Sequence, residues 1–346
     1  MRHALAALAA WGVIVSASPP KQVDDALILG DTLPPSLSAF HLLSGPYGRT
    51  PAKAVMPYML NTPLFSDYAE KFRFLYVPNG RKIGWRDNGV LDFPVGSVLV
   101  KSFGYPADMR RPGKKIRILE TRLLIRRESG WIALPYVWNA DGSDATLKRA
   151  GARIGISWIH TDGLPRTISY AVPNVNQCKG CHDDGAGGVA LIGPKAHNLN
   201  RDDQLEALVG QGRLDRLPAN APRLPVWNDP RTGSIALRAR AYLDVNCAHC
   251  HNRNGPANTS GLWLDWGQPW GPNLGIGKRP TAAGRGAGDY DFAIEPGHPE
   301  RSILTFRMKS LDPGIAMPEL GRATVHEEAI ALLDQWIATM PVQETR

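Results

Sequence analysis

All four cysteines of the chain fall in two copies of one pattern, Cys178-Lys-Gly-Cys181-His182 and Cys247-Ala-His-Cys250-His251. Cys-x-x-Cys-His is the attachment signature of c-type haem. Thiols separated by two residues reach the two vinyl groups along one porphyrin edge and form thioethers. The histidine that follows can turn its imidazole under the iron. Paired cysteines also serve as dithiol redox couples and, two pairs together, as zinc sites. Here both pairs are followed by His, and Cys178 and Cys247 are 69 residues apart, far more than a zinc ribbon uses. The expectation is two covalently bound haem c groups. Cys178, Cys181, Cys247 and Cys250 carry the thioethers, and His182 and His251 are the proximal iron ligands. No cysteine is left for a disulfide elsewhere.

The sixth iron positions need further residues. Met317-Pro318 lies 66 residues after His251, just before a C-terminal helical pattern. A thioether there can approach the distal face of the second haem, and Met/His ligation raises the potential and closes the iron. Met308 falls within a helix pattern and Met340 on an apolar helix stripe, so both fit worse. Nothing after His182 repeats this Met-Pro placement. His197 is the nearest downstream candidate for the first haem. His41, His160, Met56, Met59 and Met109 lie upstream, and an open distal site is a further alternative.

These ligands need elements to hold them. The chain has 346 residues, 43% apolar and 21% charged, enough for about two domains with full cores. With 35 Gly and 29 Pro it suits short strands and helices, not a long bundle. Residues 18–55 are rich in Pro, Ser and Gly and read as an arm or linker. Residues 56–172 read as strands, among them Phe72–Val77, Val95–Phe103, Ile116–Ile125 and Trp131–Trp138, separated by turns such as Pro78-Asn79-Gly80. That spacing predicts an all-β sandwich or barrel-like domain. Residues 173–231 form a first haem segment, with a short helix over Arg201–Val209 capped by Asn200. Residues 232–342 are mainly helical. A helix over Ser234–Val245 runs into Cys247, and a closing helix starts at a capping box, Thr324 with Glu327. Val325, Ala329, Leu332, Leu333, Trp336, Ile337 and Met340 form its apolar stripe. The fold class expected is therefore α+β and multidomain, with an N-terminal all-β domain before a mainly α haem-binding half.

Met1-Arg2-His3, the apolar run Ala4–Val15 and the small residues Val15-Ser16-Ala17 read as a signal peptide over residues 1–17. The expected location is periplasmic, with no transmembrane segment in the mature chain. The formal charge is +8. An exported basic protein does not meet nucleic acid, so the expected partners are acidic redox proteins or an anionic surface. The densest basic cluster, Arg110 to Arg117 around Pro112-Gly113, reads as an exposed turn between strands. Gly277-Lys278 lacks the residues of a P-loop, and His326-Glu327 lacks the second His of a metalloprotease helix.

Residues 234–340 resemble a class I cytochrome c domain. The likeness rests on the helix into Cys247-Ala-His-Cys250-His251, the turn Pro296-Gly-His-Pro-Glu-Arg-Ser302, Ala316-Met317-Pro318, and the closing helix with Leu333 and Trp336-Ile337. The whole mature chain resembles a family of secreted di-haem c-type cytochromes. That likeness runs through Pro63-Leu-Phe-Ser-Asp67, Glu120-Thr-Arg-Leu-Leu124, Trp131 to Trp138, and Leu199-Asn-Arg-Asp202. It implies one-electron transfer between redox partners, with Met317 as a distal ligand. The rival readings are a peroxidase-like di-haem enzyme with an open first haem, and a partner- or ligand-binding β module wired to a respiratory chain.

Overall fold

The computed structural model describes residues 22–182, 188–319 and 321–342. The expected signal peptide, 1–17, lies outside them. The chain is α+β, with a large antiparallel sheet region and, among the described residues, seven α-helices. In order they are α1 (Asp25–Leu29), β1 (Leu43–Ser44), β2 (Thr50–Pro51), β3 (Val55–Pro57), β4 (Glu70–Tyr76), β5 (Val98–Pro106), β6 (Ile116–Arg127), β7 (Gly130–Trp138), β8 (Ala145–Leu147), β9 (Ala152–Ile159) and β10 (Pro165–Val172). Then follow α2 (Val175–Cys181), α3 (Ala196–Leu199), α4 (Gln204–Gly210), α5 (Ile235–Asn246), α6 (Ile303–Lys309) and α7 (Glu327–Ala338).

Strands β3 to β8 form one six-stranded antiparallel meander in chain order, with β3 and β8 at its edges. Strands β9 and β10 form a separate antiparallel ribbon. Alternation along the strands decides which face each side chain takes. Phe74 and Tyr76 of β4, Val98 and Val100 of β5, and Leu123 and Ile125 of β6 share one face. The stretch expected as a linker covers that face. Ile28, Phe40 and Leu42 are fully buried there. Burying three such side chains is worth on the order of 5 kcal/mol, enough to fix the segment to the sheet.

The opposite face is covered in two places. At one end Leu75 and Leu99 pack against Ala196, Leu199, Leu205, Leu208 and Leu214. The segment after the first Cys motif is thus part of the β region's core. It is also bonded to the loop after β4, where Ile83 N–H donates to Arg213 O at 2.8 Å and Leu91 N–H to Pro194 O at 3.2 Å. At the other end Phe103, Tyr105 and Leu119 pack against Trp158 and Tyr170 of the ribbon. The basic cluster at Arg110–Lys115 lies on the exposed turn between β5 and β6.

The last third packs α5, α6 and α7 around Tyr242, Leu243, Leu264, Met308, Leu333 and Trp336. Ser234 caps α5 by accepting from Leu237 N–H, as its position before the apolar stripe requires. The start of α7 differs from expectation. It begins at Glu327, and no capping box forms. Thr324 is held instead by Asp67, whose Oδ1 accepts from Ala323 N–H, Thr324 N–H and the Thr324 hydroxyl at 2.7, 2.9 and 3.0 Å. Among the described residues no helix is long and apolar enough to cross a membrane.

Candidate haem-attachment site

The first Cys-x-x-Cys-His unit sits on a short capped helix, α2. Asn174 accepts from Gln177 N–H at 2.8 Å, and the Gln177 side chain accepts from Asn174 N–H at 3.0 Å. This reciprocal cap compensates for the low helix propensity of a seven-residue segment containing Gly180. Cys178 and Cys181 are three apart, so they share a helix face. His182 ends the helix. Its Nδ1 lies 2.6 Å from Ala190 O, and Ala190 N–H donates back to His182 O. A carbonyl can only accept, so Nδ1 carries the proton and Nε2 the free lone pair.

The second unit reaches the same state by different means. Helix α5 delivers Cys247, whose N–H still bonds Leu243 O at 2.9 Å. His251 Nδ1 lies 3.2 Å from Ser260 Oγ. The Ser260 hydroxyl spends its proton on Ala257 O at 2.6 Å, so it accepts from Nδ1–H. Nε2 of His251 is again the free nitrogen. Burial holds both His182 and His251 down at about 4. Both are therefore neutral imidazoles, the form that ligates a metal. Gly255 closes the turn after Cys250. A Cβ there would stand 2.3 Å from Cys250 O, so no larger residue fits without moving the motif.

No disulfide joins any of the four cysteines. Burial raises each of them, Cys247 to about 12 and Cys250 to about 11. A dithiol redox couple requires the opposite, a depressed thiol. The two units also lie side by side. After burial, the nearby Cys181 is what raises Cys250 most, and His182 is the first like charge acting on His249. Among the described residues no three His, Cys, Asp or Glu converge to hold a bare metal ion. The donor set fits haem: two thiols and one tautomer-fixed imidazole per unit. Around the second unit, Trp263 Nε1 is buried without a hydrogen-bond partner, and Arg253 stacks 3.8 Å above its ring.

Met317 lies in the loop between α6 and α7, half-buried, with its N–H donating to Arg307 O at 3.1 Å. That loop flanks the second unit. Glu319 acts electrostatically on Cys250, and Arg307 acts on His251. Met308 and Met340, by contrast, are buried in the helical core.

His197 is buried, with Nε2 3.1 Å from Asp244 Oδ2. Lys195 Nζ reaches the other oxygen at 2.7 Å. Burial pushes Asp244 up, but the His197 hydrogen bond and the Lys195 charge outweigh it and hold the carboxyl at about 2. His197 thus joins α3 to α5 through a hydrogen bond to Asp244.

Two groups escape a sequence reading. His249 occupies a variable position of the second motif, yet its Nδ1 is buried and unpartnered, and His182 is near. The second group is a band of cations on the sheet face near the first unit. There Arg73 pairs with Lys101, and Lys101 with Arg122. Lys101 and Arg122 both act on His182. Only the strand register brings these three together. The chain matches no protein-family model, no curated protein and no solved structure.

Proposed function

We propose that this chain is an exported di-haem c-type cytochrome that passes single electrons between redox partner proteins. The observation that carries the reading is the duplicated unit, two adjacent Cys-x-x-Cys-His segments each with the proximal imidazole fixed as the Nδ1–H tautomer. Haem bound there supplies the one-electron ferric/ferrous couple. Cys178, Cys181, Cys247 and Cys250 hold its edge, and raised thiol pKa values keep them from competing as thiolate redox pairs. Ala190 O and Ser260 Oγ orient His182 and His251, as second-sphere acceptors do for metal-bound histidines. Met317 is assigned to the second iron. The helical packing of α5, α6 and α7 around Trp336 suits the cytochrome c-like reading of residues 232–342, and the sheet with its ribbon is the β domain. A periplasmic location and acidic partners follow from the signal-like start and the net charge.

A peroxidase-like enzyme with an open first haem is the second reading. One observation favours it: Asp244 engages His197 Nε2, which leaves the nearest downstream candidate committed elsewhere. Periplasmic expression with haem maturation, pyridine haemochrome analysis and low-temperature EPR test both. Two thioether haems with two low-spin ferric signals support the electron carrier. One high-spin signal beside one low-spin signal moves the enzyme ahead. A protein without covalent haem removes both.

A further inference from the structure

The sheet face that the first unit overlooks carries a charge arrangement the fold alone does not explain. Arg73 on β4, Lys101 on β5 and Arg122 on β6 are direct register partners across three adjacent strands, with Lys71 two residues from Arg73 on the same face. Like charges placed opposite each other in a sheet are destabilising. Arg122 is neutralised. It donates to both oxygens of fully buried Glu120, with Nε to Oε2 at 2.9 Å, and Tyr170 OH donates to the same carboxylate. The rest are not. Arg73 is 8% exposed, and its Nη2 is buried without a hydrogen-bond partner. Lys101 has the Phe103 ring 4.8 Å away and feels the Glu120 charge already shared with Arg122, and no carboxylate makes an ion pair with Lys71, Arg73 or Lys101 among the described residues. Asp67 acts on Lys71 through its charge but makes no ion pair with it, and its Oδ1 accepts from the Ala323–Thr324 turn. Buried cations persist only where something pairs them.

We infer that Arg73, Lys101 and Lys71 form a built anion site that receives the propionate carboxylates of a haem held at Cys178 and Cys181. The inference rests on the haem reading and gives the β region a task, closing the first haem's site from the sheet side. Arg73 and Lys101 present the donors, while Arg122 is held in place by Glu120. Burial, with the Arg73 charge beside it, pulls the pKa of Lys71 down to about 7, and an anion bound there would raise it again.

The test is the reduction potential of each haem in the full, matured protein carrying Lys101→Gln or, separately, Arg73→Gln. Haem content is first measured by pyridine haemochrome. Removing a cation beside the first haem favours its ferric state. The expected result is a shift of at least tenfold in that haem's ferric/ferrous ratio, 59 mV for a one-electron couple. The second haem stays unchanged, and Lys101→Arg restores the wild-type value. Two haems with an unmoved first potential in both variants would overturn the anion site while leaving the cytochrome reading intact. Absence of haem at Cys178 and Cys181 in the wild type would instead remove the cytochrome reading. Sulfate titrated into the wild type separates the occupants. No response supports propionates, whereas a saturable shift of the first potential shows a site for a diffusible anion and overturns the assignment.

Discussion

Asp67 and Thr324 are 257 residues apart, yet one carboxylate oxygen of Asp67 takes the Thr324 N–H and hydroxyl together. Tyr68, next in the chain, accepts from Glu327 N–H at 3.2 Å and donates to Glu328 at 2.8 Å. The β region thus supplies the N-terminal cap of α7, the helix that closes the other half. Asp67→Ala leaves three donors near the start of α7 unpaired. At up to about 1 kcal/mol for each of these part-buried donors, the expected loss is about 2 kcal/mol. Chemical denaturation of the haem-loaded protein checks this, and a loss below 1 kcal/mol would show that water takes over the cap.

The same contact explains what sequence could and could not disclose. The two Cys-x-x-Cys-His units are legible because their residues are adjacent in the chain. Ser234 at the start of α5 was legible because its partner, Leu237, is three residues on. Thr324 with Glu327 has the same local look, but a distant carboxylate claims the threonine first. Asn200 likewise reads as a cap for the helix after it. It instead donates to Ala221 O and Pro222 O, while Asp202 and Asp203 take left-handed backbone and α4 starts at Gln204. The segment from Val23 to Ala54 carries no periodic apolar pattern, so its burial of Ile28, Phe40 and Leu42 appears only once the sheet gives it a surface. The cations of β4, β5 and β6 become a cluster only through register.

Met317→Ala tests the second iron. The loop bearing Met317 flanks Cys250 through Glu319, and Arg307 of α6, whose carbonyl holds Met317 N–H, acts on His251. Loss of the thioether is expected to lower the potential of the second haem and to let carbon monoxide bind its ferrous form. Spectroscopy and redox titration read both effects. An unchanged potential with no carbon monoxide binding would strike Met317 from the ligand set.

On the proposed di-haem reading, His249 and His197 are the two candidates for the sixth position of the first haem. His249 has a buried, unpartnered Nδ1 near His182, whereas Asp244 holds the Nε2 of His197. His249→Ala is therefore expected to turn one low-spin ferric EPR signal into a high-spin one, and His197→Ala to leave both signals low-spin. The reverse pattern would assign the ligand to His197.

Gly255→Ala addresses the turn that shapes the second unit. The added methyl would stand 2.3 Å from Cys250 O and 2.7 Å from Asn252 Nδ2, so the backbone after Cys250 must move. Haem attachment needs both thiols along one edge. The expected outcome is loss of about half the covalent haem, with the first unit still loaded, as measured by pyridine haemochrome and intact mass. Full loading would show that the turn yields without disturbing Cys250.

Asp244 sets a pH dependence. Its carboxyl, ordinarily near 3.8, is held at about 2 against the cost of burial by His197 and Lys195. A depressed acid stabilises the fold fully above its unfolded pKa and loses that contribution as pH falls through its folded pKa. A depression of this size corresponds to about 2 kcal/mol. That stability is present above about pH 4 and lost on acidification towards pH 2. Asp244→Asn removes this titration and leaves Lys195 without its counter-charge. The variant is expected to melt lower than the wild type at pH 6, with the gap narrowing as the pH approaches 2. Thermal melts of both proteins across that range decide it, since parallel curves would mean that Asp244 contributes no charge-dependent stability.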